Sequence, residues 1–170
     1  MNTDNIALCF LQVNDAKKHC TPCVILIKDH RKPEPLVWKF PGGTGEMAID
    51  EPETPRETMM REILEETGID IAYARNVTLQ DYGTVQARSQ RGPYDVHMFG
   101  AVLDYDFVMN EVKRYHPHPE RHTWFVEPDI EVWLAPVAEL VENNVEFNRN
   151  HARWLRELQP TLANLILSHN

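Results

Sequence analysis

The stretch from Thr54 to Gly68 constrains this chain most, because it combines a full set of helix boundaries with a charge pattern that a bare helix disfavours. Thr54 is placed to be the N-cap, Pro55 the first helical residue, and Glu57 the carboxylate that reaches back to the cap. Gly68 supplies the stop, since glycine adopts the left-handed conformation that ends many helices. At about 100° per residue, Glu62, Glu65 and Glu66 share one arc of roughly 100°, and Met60, Ile63 and Leu64 take the opposite side, suited to a core. Three like charges on one face repel, by some tenths of a kcal/mol per i,i+4 pair. Glu65 and Glu66 also stand near the helix C-terminus, the unfavourable end for an anion, and Arg61 offsets only part of this. A hard divalent cation would make the cluster an asset, because Mg²⁺ and Mn²⁺ take oxygen ligands and complete their shells with water and phosphate. A solvated acidic face is the commoner outcome of such spacing, so the adjoining sequence has to decide.

The chain has 170 residues, 42% of them hydrophobic, a size and share that fit one globular domain over 1–170 and exclude wholesale disorder. No apolar run approaches the roughly 18 residues of a membrane span. Met1-Asn2-Thr3-Asp4 lacks a basic head, so no secretion signal and a cytoplasmic location are expected. Lys and Arg number 17 against 26 Asp and Glu, and the net charge of −9 argues against a general nucleic-acid coat. The three cysteines, Cys9, Cys20 and Cys23, fit a reducing compartment. Cys20-Thr21-Pro22-Cys23 has redox spacing, but Val24–Ile27 after it reads as a strand where a redox motif opens a helix. No second pair completes a four-sulfur zinc site, and ordinary buried thiols are expected.

Apolar runs at Ile6–Val13 and Val24–Ile27 predict strands, with a polar turn from Asn14 to His19 between them. His30-Arg31-Lys32-Pro33-Glu34-Pro35 predicts a loop, its prolines opposing helix and central strand alike. Leu36–Phe40 predicts a short strand entering Pro41-Gly42-Gly43. Val77–Val85 and Val96–Leu103 predict two more strands around the polar loop from Arg88 to Pro93, and Glu131–Leu134 a late one. Tyr115 to Arg121, rich in Pro and His, predicts loop. Phe147, Trp154, Leu155 and Leu158 form a helical stripe halted near Pro160, with a last short helix over Thr161–Leu167. Strands, a central helix, more strands and closing helices imply an α+β fold, a mixed sheet covered by helices.

Glu53, seven residues, then Arg61-Glu62-Ile63-Leu64-Glu65-Glu66-Thr67-Gly68-Ile69 resembles the signature of the Nudix hydrolases. That signature reads Gly, five residues, Glu, seven residues, Arg-Glu-aliphatic-any-Glu-Glu-any-Gly-aliphatic, and every fixed position from Glu53 onward matches. Trp38-Lys39-Phe40-Pro41-Gly42-Gly43 resembles the strand and glycine turn that enter the box, and Phe99–Leu103 and Glu127 through Leu140 resemble later family strands. One position departs: Met47 stands where the box glycine is expected. If Gly43 is the counterpart, the loop carries four extra residues, a length a fold tolerates cheaply.

The resemblance implies an α/β/α sandwich that cleaves the diphosphate linkage of a nucleoside diphosphate derivative or nucleoside triphosphate, with water as nucleophile and Mg²⁺ or Mn²⁺ as cofactor. It implies Glu62, Glu65 and Glu66 as metal ligands, Glu53 as a metal-shell or helix-start carboxylate, and Arg61 as the residue that orients the glutamates. Gly42 and Gly43 would let backbone approach metal or phosphate closely. The resemblance implies a general base that is either a glutamate of the box or one in a later loop, where Glu127 is the candidate and Glu120 its competitor. The partner implied is a nucleotide-type small molecule. A Nudix-like module that binds a nucleotide without cleaving it is the alternative, and the intact box carboxylates argue against it. An isoprenoid-diphosphate isomerase finds little support, since all three cysteines precede the box, and no calcium-sensor loop is present.

Outside the box, Arg88 and Arg91 are placed either to meet a phosphate or base or to form a solvated loop tip. Tyr94, Trp124 and Phe125 are candidates to stack on a base, with packing the commoner use of such aromatics. His116, His118 and His122 lack a fixed ligand spacing, which favours a loop over a zinc site. Neither substrate subgroup nor oligomeric state has a signature in the chain.

Overall fold

The N-terminal apolar run becomes the spine of the sheet. In the computed structural model, which describes residues 5–14, 22–46, 51–75, 77–116 and 122–167, it is strand β1 (Asn5–Asn14). The other strands are β2 (Cys23–Asp29), β3 (Gly42–Thr44), β4 (Gln80–Ser89), β5 (Gly92–Asp104), β6 (Thr123–Phe125) and β7 (Ile130–Pro136). They form one seven-stranded mixed sheet in the order β4-β5-β1-β2-β7-β6, with β3 paired to β1. β1 runs parallel to β5 from Asn5↔Asp95 to Asn14↔Asp104, and every other pairing is antiparallel. Cys20, Met47, His118 and Glu120 lie outside the described residues.

The pleat sends alternate residues of β1 to two cores. Ala7, Cys9, Leu11 and Val13 face one side, where Met59 and Ile63 of helix α1 (Pro55–Thr67) and Val108 and Val112 of helix α2 (Tyr105–Lys113) cover the sheet. Leu8 and Phe10 face the other, covered by α3 (Val137–Glu142), α4 (Arg149–Leu158) and α5 (Pro160–Ile166) through Leu140, Trp154, Leu155 and Ile166. Burial on both faces explains why β1 reads as a near-continuous apolar run. The result is the expected α+β sandwich. No helix among the described residues is long and apolar enough to cross a membrane.

Helix α1 has the boundaries its sequence announces. Thr54 Oγ1 accepts from the Glu57 amide at 3.3 Å while Glu57 Oε2 accepts from the Thr54 amide at 2.9 Å. Gly68 ends the helix at φ 74°, its amide donating to Leu64 O. The buried stripe differs from the expected one. Met59 and Ile63 are fully buried, Met60 is half-buried and Leu64 is exposed. The helix is rolled so that Glu66 and Thr67 turn inward, because Glu66 has a backbone donor waiting on β3. The glutamate arc therefore flanks the core instead of opposing it.

Other boundaries moved for local reasons. Leu36–Phe40 is not a strand of its own: Trp38 and Lys39 make single bridges, to Phe147 and Ile27. β4 starts three residues later than expected and runs into the polar loop, which shrinks to a two-residue turn between Ser89 and Gly92. Phe147 precedes α4, whose N-cap is Asn148, and Pro160 starts α5 as well as ending the stripe before it. Helices α2 and α3 were not anticipated. α2 continues from β5 through Asp104, whose side chain caps the amides of Asp106 and Phe107.

Candidate active site

Gly42 and Gly43 bring backbone and carboxylate together where α1 lies on β3. Gly42 has φ 144°, and a Cβ there would meet Ala7 O and the Leu8 backbone of the neighbouring strand. A Cβ on Gly43 would stand inside the Glu62 carboxylate. The absence of both side chains lets the Gly42 amide donate to Glu66 Oε2 at 2.8 Å. Lys39 Nζ lies 3.5 Å from the other oxygen, Oε1. Glu66 is buried, and burial pushes its carboxyl up to about 7 against the pull of Lys39 and the Gly42 amide. Burial raises Glu62 as well, against the neighbouring Arg61 guanidinium.

Arg61 gathers the remaining carboxylates. Its Nε donates to Glu53 Oε1 at 2.9 Å and Nη2 to Glu53 Oε2 at 3.0 Å, while Nη1 reaches Glu62 at 2.9 Å and Glu65 at 3.0 Å. Nη2 also donates to Thr44 O at 3.1 Å, which fastens the arginine to β3. Glu53 accepts further from the Glu46 amide and the Thr58 hydroxyl, both at 3.0 Å. The Arg61 bonds above all hold its carboxyl down, at about 2. The sequence anticipated an Arg61–Glu65 pair. The bidentate link to Glu53 and the bond to Glu62 make Arg61 the hub of the cluster.

The donor set suits a hard divalent cation. Glu66 is buried and Glu62 partly buried, burial disfavours the charged form of both, and a dication beside them would reverse that balance. Among the described residues no three His, Cys, Asp or Glu side chains form a ready-made ligand group. The Arg61 guanidinium lies between Glu53, Glu62 and Glu65 and holds them in its own hydrogen-bond geometry.

Other expected residues are spread more widely. Glu127 sits in the turn between β6 and β7, its side chain mostly exposed and 3.9 Å from Arg31 Nη1. Arg31 is gripped by buried Asp29, whose Oδ1 accepts from its Nε at 2.8 Å, and Lys39 helps hold the Asp29 carboxyl down. None of the hydrogen bonds or ion pairs among the described residues joins Glu127 directly to the α1 glutamates. Arg88 lies on exposed β4, opposite Pro93. Arg91, in the hairpin turn, lines an open cavity of about 470 Å³ with Ile6, Thr44, Ser89, Gln90 and Tyr94, and Thr44 connects that cavity to Arg61. Trp124 is a core residue, with its Nε1 donating to Thr67 O at 2.9 Å, and Phe125 is exposed beside His30. His122 meets Tyr105 Oη at 3.4 Å, and Cys9 is buried with its thiol pushed up by desolvation. Sequence reasoning missed Lys39, whose partner stands 27 residues away and is set only by the register of α1 on β3.

The family model described as the NUDIX domain matches residues 4–158. The chain belongs to the Nudix family. Among solved structures, this Nudix chain is similar to the NUDIX domain of Shewanella oneidensis NrtR complexed with ADP ribose. That match has 16% identity and a TM-score of 0.62, and covers 95% of this chain and 90% of the other. It is also similar to a MutT/nudix family protein from Listeria innocua, with 16% identity, a TM-score of 0.58 and 98% of each chain covered. A third is a binary complex of the C. elegans Ap4A hydrolase, with 14% identity and a TM-score of 0.54, covering 95% of this chain and 98% of that one. Longer NrtR, of which this chain covers 68%, is solved with a 27mer DNA. No curated protein matches the chain in sequence.

Proposed function

We propose that this Nudix chain is a divalent-cation-dependent hydrolase of the diphosphate linkage in a nucleoside diphosphate derivative or nucleoside triphosphate. One observation carries the reading: the box carboxylates are all present, and two of them, partly buried Glu62 and buried Glu66, lie against the Gly42-Gly43 backbone. Glu62, Glu65 and Glu66 would hold Mg²⁺ or Mn²⁺, with Glu53 behind them as the carboxylate that anchors Arg61. When bound, the cation supplies neutralisation of the diphosphate and acidification of the attacking water. Arg61 fixes the directions of Glu53, Glu62 and Glu65. Gly42 and Gly43, without side chains, let the strand backbone lie directly against the Glu66 and Glu62 carboxylates. Glu127 takes the proton of the nucleophile from its turn beside Arg31. Arg91 and Tyr94, which line the cavity beside Thr44, receive the nucleoside side of the substrate. Two of the similar structures carry a nucleotide in their description, ADP ribose or Ap4A, which supports a nucleotide as the class.

The test is a panel of nucleoside diphosphate derivatives and triphosphates assayed for phosphate and pyrophosphate release. Hydrolysis of at least one member, stopped by chelator and restored by Mg²⁺, is expected. Hydrolysis persisting in excess chelator removes the metal from the reading. Tight nucleotide binding with no turnover of any member returns the chain to the non-cleaving module, which the Arg61 lock on three carboxylates would suit.

A further inference from the structure

Two cations serve the carboxylate cluster, and their hydrogen-bonding capacity differs. Arg61 has five N–H donors, and the structure uses all of them, on Glu53 twice, on Glu62, on Glu65 and on Thr44 O. It has nothing left for a substrate. The Lys39 ammonium has three donors and, among the described residues, makes one long hydrogen-bond contact, 3.5 Å to Glu66 Oε1, well beyond the usual charge-assisted distance of about 2.8 Å. Asp29 takes no hydrogen bond from it: Arg31 donates to both of that carboxylate's oxygens, and Lys39 acts on Asp29 through its charge alone.

The backbone under Lys39 is held by hydrogen bonds, and the chain above it is four rotatable methylenes long. Lys39 exchanges both backbone hydrogen bonds with Ile27 at 2.9 Å, and the Phe40 amide donates to His151 Nδ1 at 3.2 Å. Movement is thus confined to four flexible methylenes that end at the oxygen of Glu66 not bound by Gly42. Four carboxylates against two cations leave two negative charges, which one divalent ion balances. An ion at Glu66 and the ammonium compete for the same oxygen.

We infer that Lys39 is a substrate-binding residue held in reserve: its ammonium neutralises Glu66 in the resting protein and turns to the substrate's diphosphate when a divalent cation takes Glu66. The inference rests on the metal reading of the glutamates and adds to it a coupling between metal and nucleotide. Lys39 opposes the ion when no substrate is present and assists the substrate once the ion is in place. Its effect on the two ligands is therefore of opposite sign, which a purely structural lysine would not produce.

The experiment measures Mn²⁺ binding by electron paramagnetic resonance without nucleotide, then binding of a methylene-bridged ADP analogue at saturating Mn²⁺. Native protein, Lys39→Met and Lys39→Arg are compared, with Glu66→Gln as the metal control. Lys39→Met should bind Mn²⁺ alone about tenfold more tightly and the analogue about tenfold more weakly, while Lys39→Arg retains most of the analogue affinity. Shifts of the same sign, or no shift in either, overturn the role of Lys39. Failure of native protein to bind Mn²⁺, or of Glu66→Gln to weaken it, overturns the metal reading itself and the inference with it.

Discussion

The two ends of α1 hold carboxylates in opposite conditions. At the N-terminal end Glu53 accepts from Arg61 twice, from the Glu46 amide and from the Thr58 hydroxyl, and its carboxyl is held down near 2. At the C-terminal end Glu66 is buried with one amide and a distant ammonium, and its carboxyl is pushed up to about 7. The first end is internally satisfied and behaves as a clamp. The second is compensated by one ammonium at 3.5 Å, and is where the proposed cation would gain most. A shared helix thus separates support from chemistry within four turns.

Breaking the C-terminal end should cost most. Glu66→Gln keeps the side-chain volume and removes the ligand charge, so turnover should fall on the order of a thousandfold or more with the thermal midpoint nearly unchanged. Parallel loss of folding, seen in far-ultraviolet circular dichroism, would show that Glu66 is part of the scaffold instead. Gly43→Ala should cost about a hundredfold in kcat/KM, because the added methyl displaces the Glu62 carboxylate. Glu127→Gln should lower kcat at least about tenfold, and a smaller loss transfers the base to another carboxylate. Glu53→Gln sharpens the contrast from the other side. It loosens Arg61, so it should lower stability by about 1–3 kcal/mol in urea unfolding and reduce the rate less than Glu66→Gln does.

The smallest effect concerns the opposite face of the sheet. His151 is buried, accepts from the Phe40 amide, and burial lowers its pKa from 6.5 to about 3. The unfolded chain therefore binds a proton that the native one refuses between those values. Stability from this group is complete above about 6.5 and is lost as pH falls towards about 3. Thermal midpoints measured from pH 7 down to 4 should decline, and His151→Gln should flatten that decline; an unchanged slope removes His151 as its source.

The helix boundaries of α1 were legible because cap, proline and glycine act within the helix itself. Its roll was not, since angular arithmetic separates a glutamate arc from an apolar arc without saying which flank meets the sheet, and Leu64 came out exposed while Met59 went in. α2 escaped notice because β5 passes into it at Asp104 with no glycine or proline between, although Val108 and Val112 stand four apart. α3 has six residues and no side-chain cap. In the site, the local Arg61–Glu65 pair could be read from spacing. Lys39–Glu66 could not, because it depends on how a bridge residue beside Ile27 faces a helix 27 positions on.

The Glu62 carboxylate occupies the space that a side chain on Gly43 would need. A single base change that added a methyl there would displace that carboxylate while touching none of the residues that cap α1 or fill the two cores. If the proposed hydrolysis depends on Glu62, one methyl group separates it from a Nudix module that only binds.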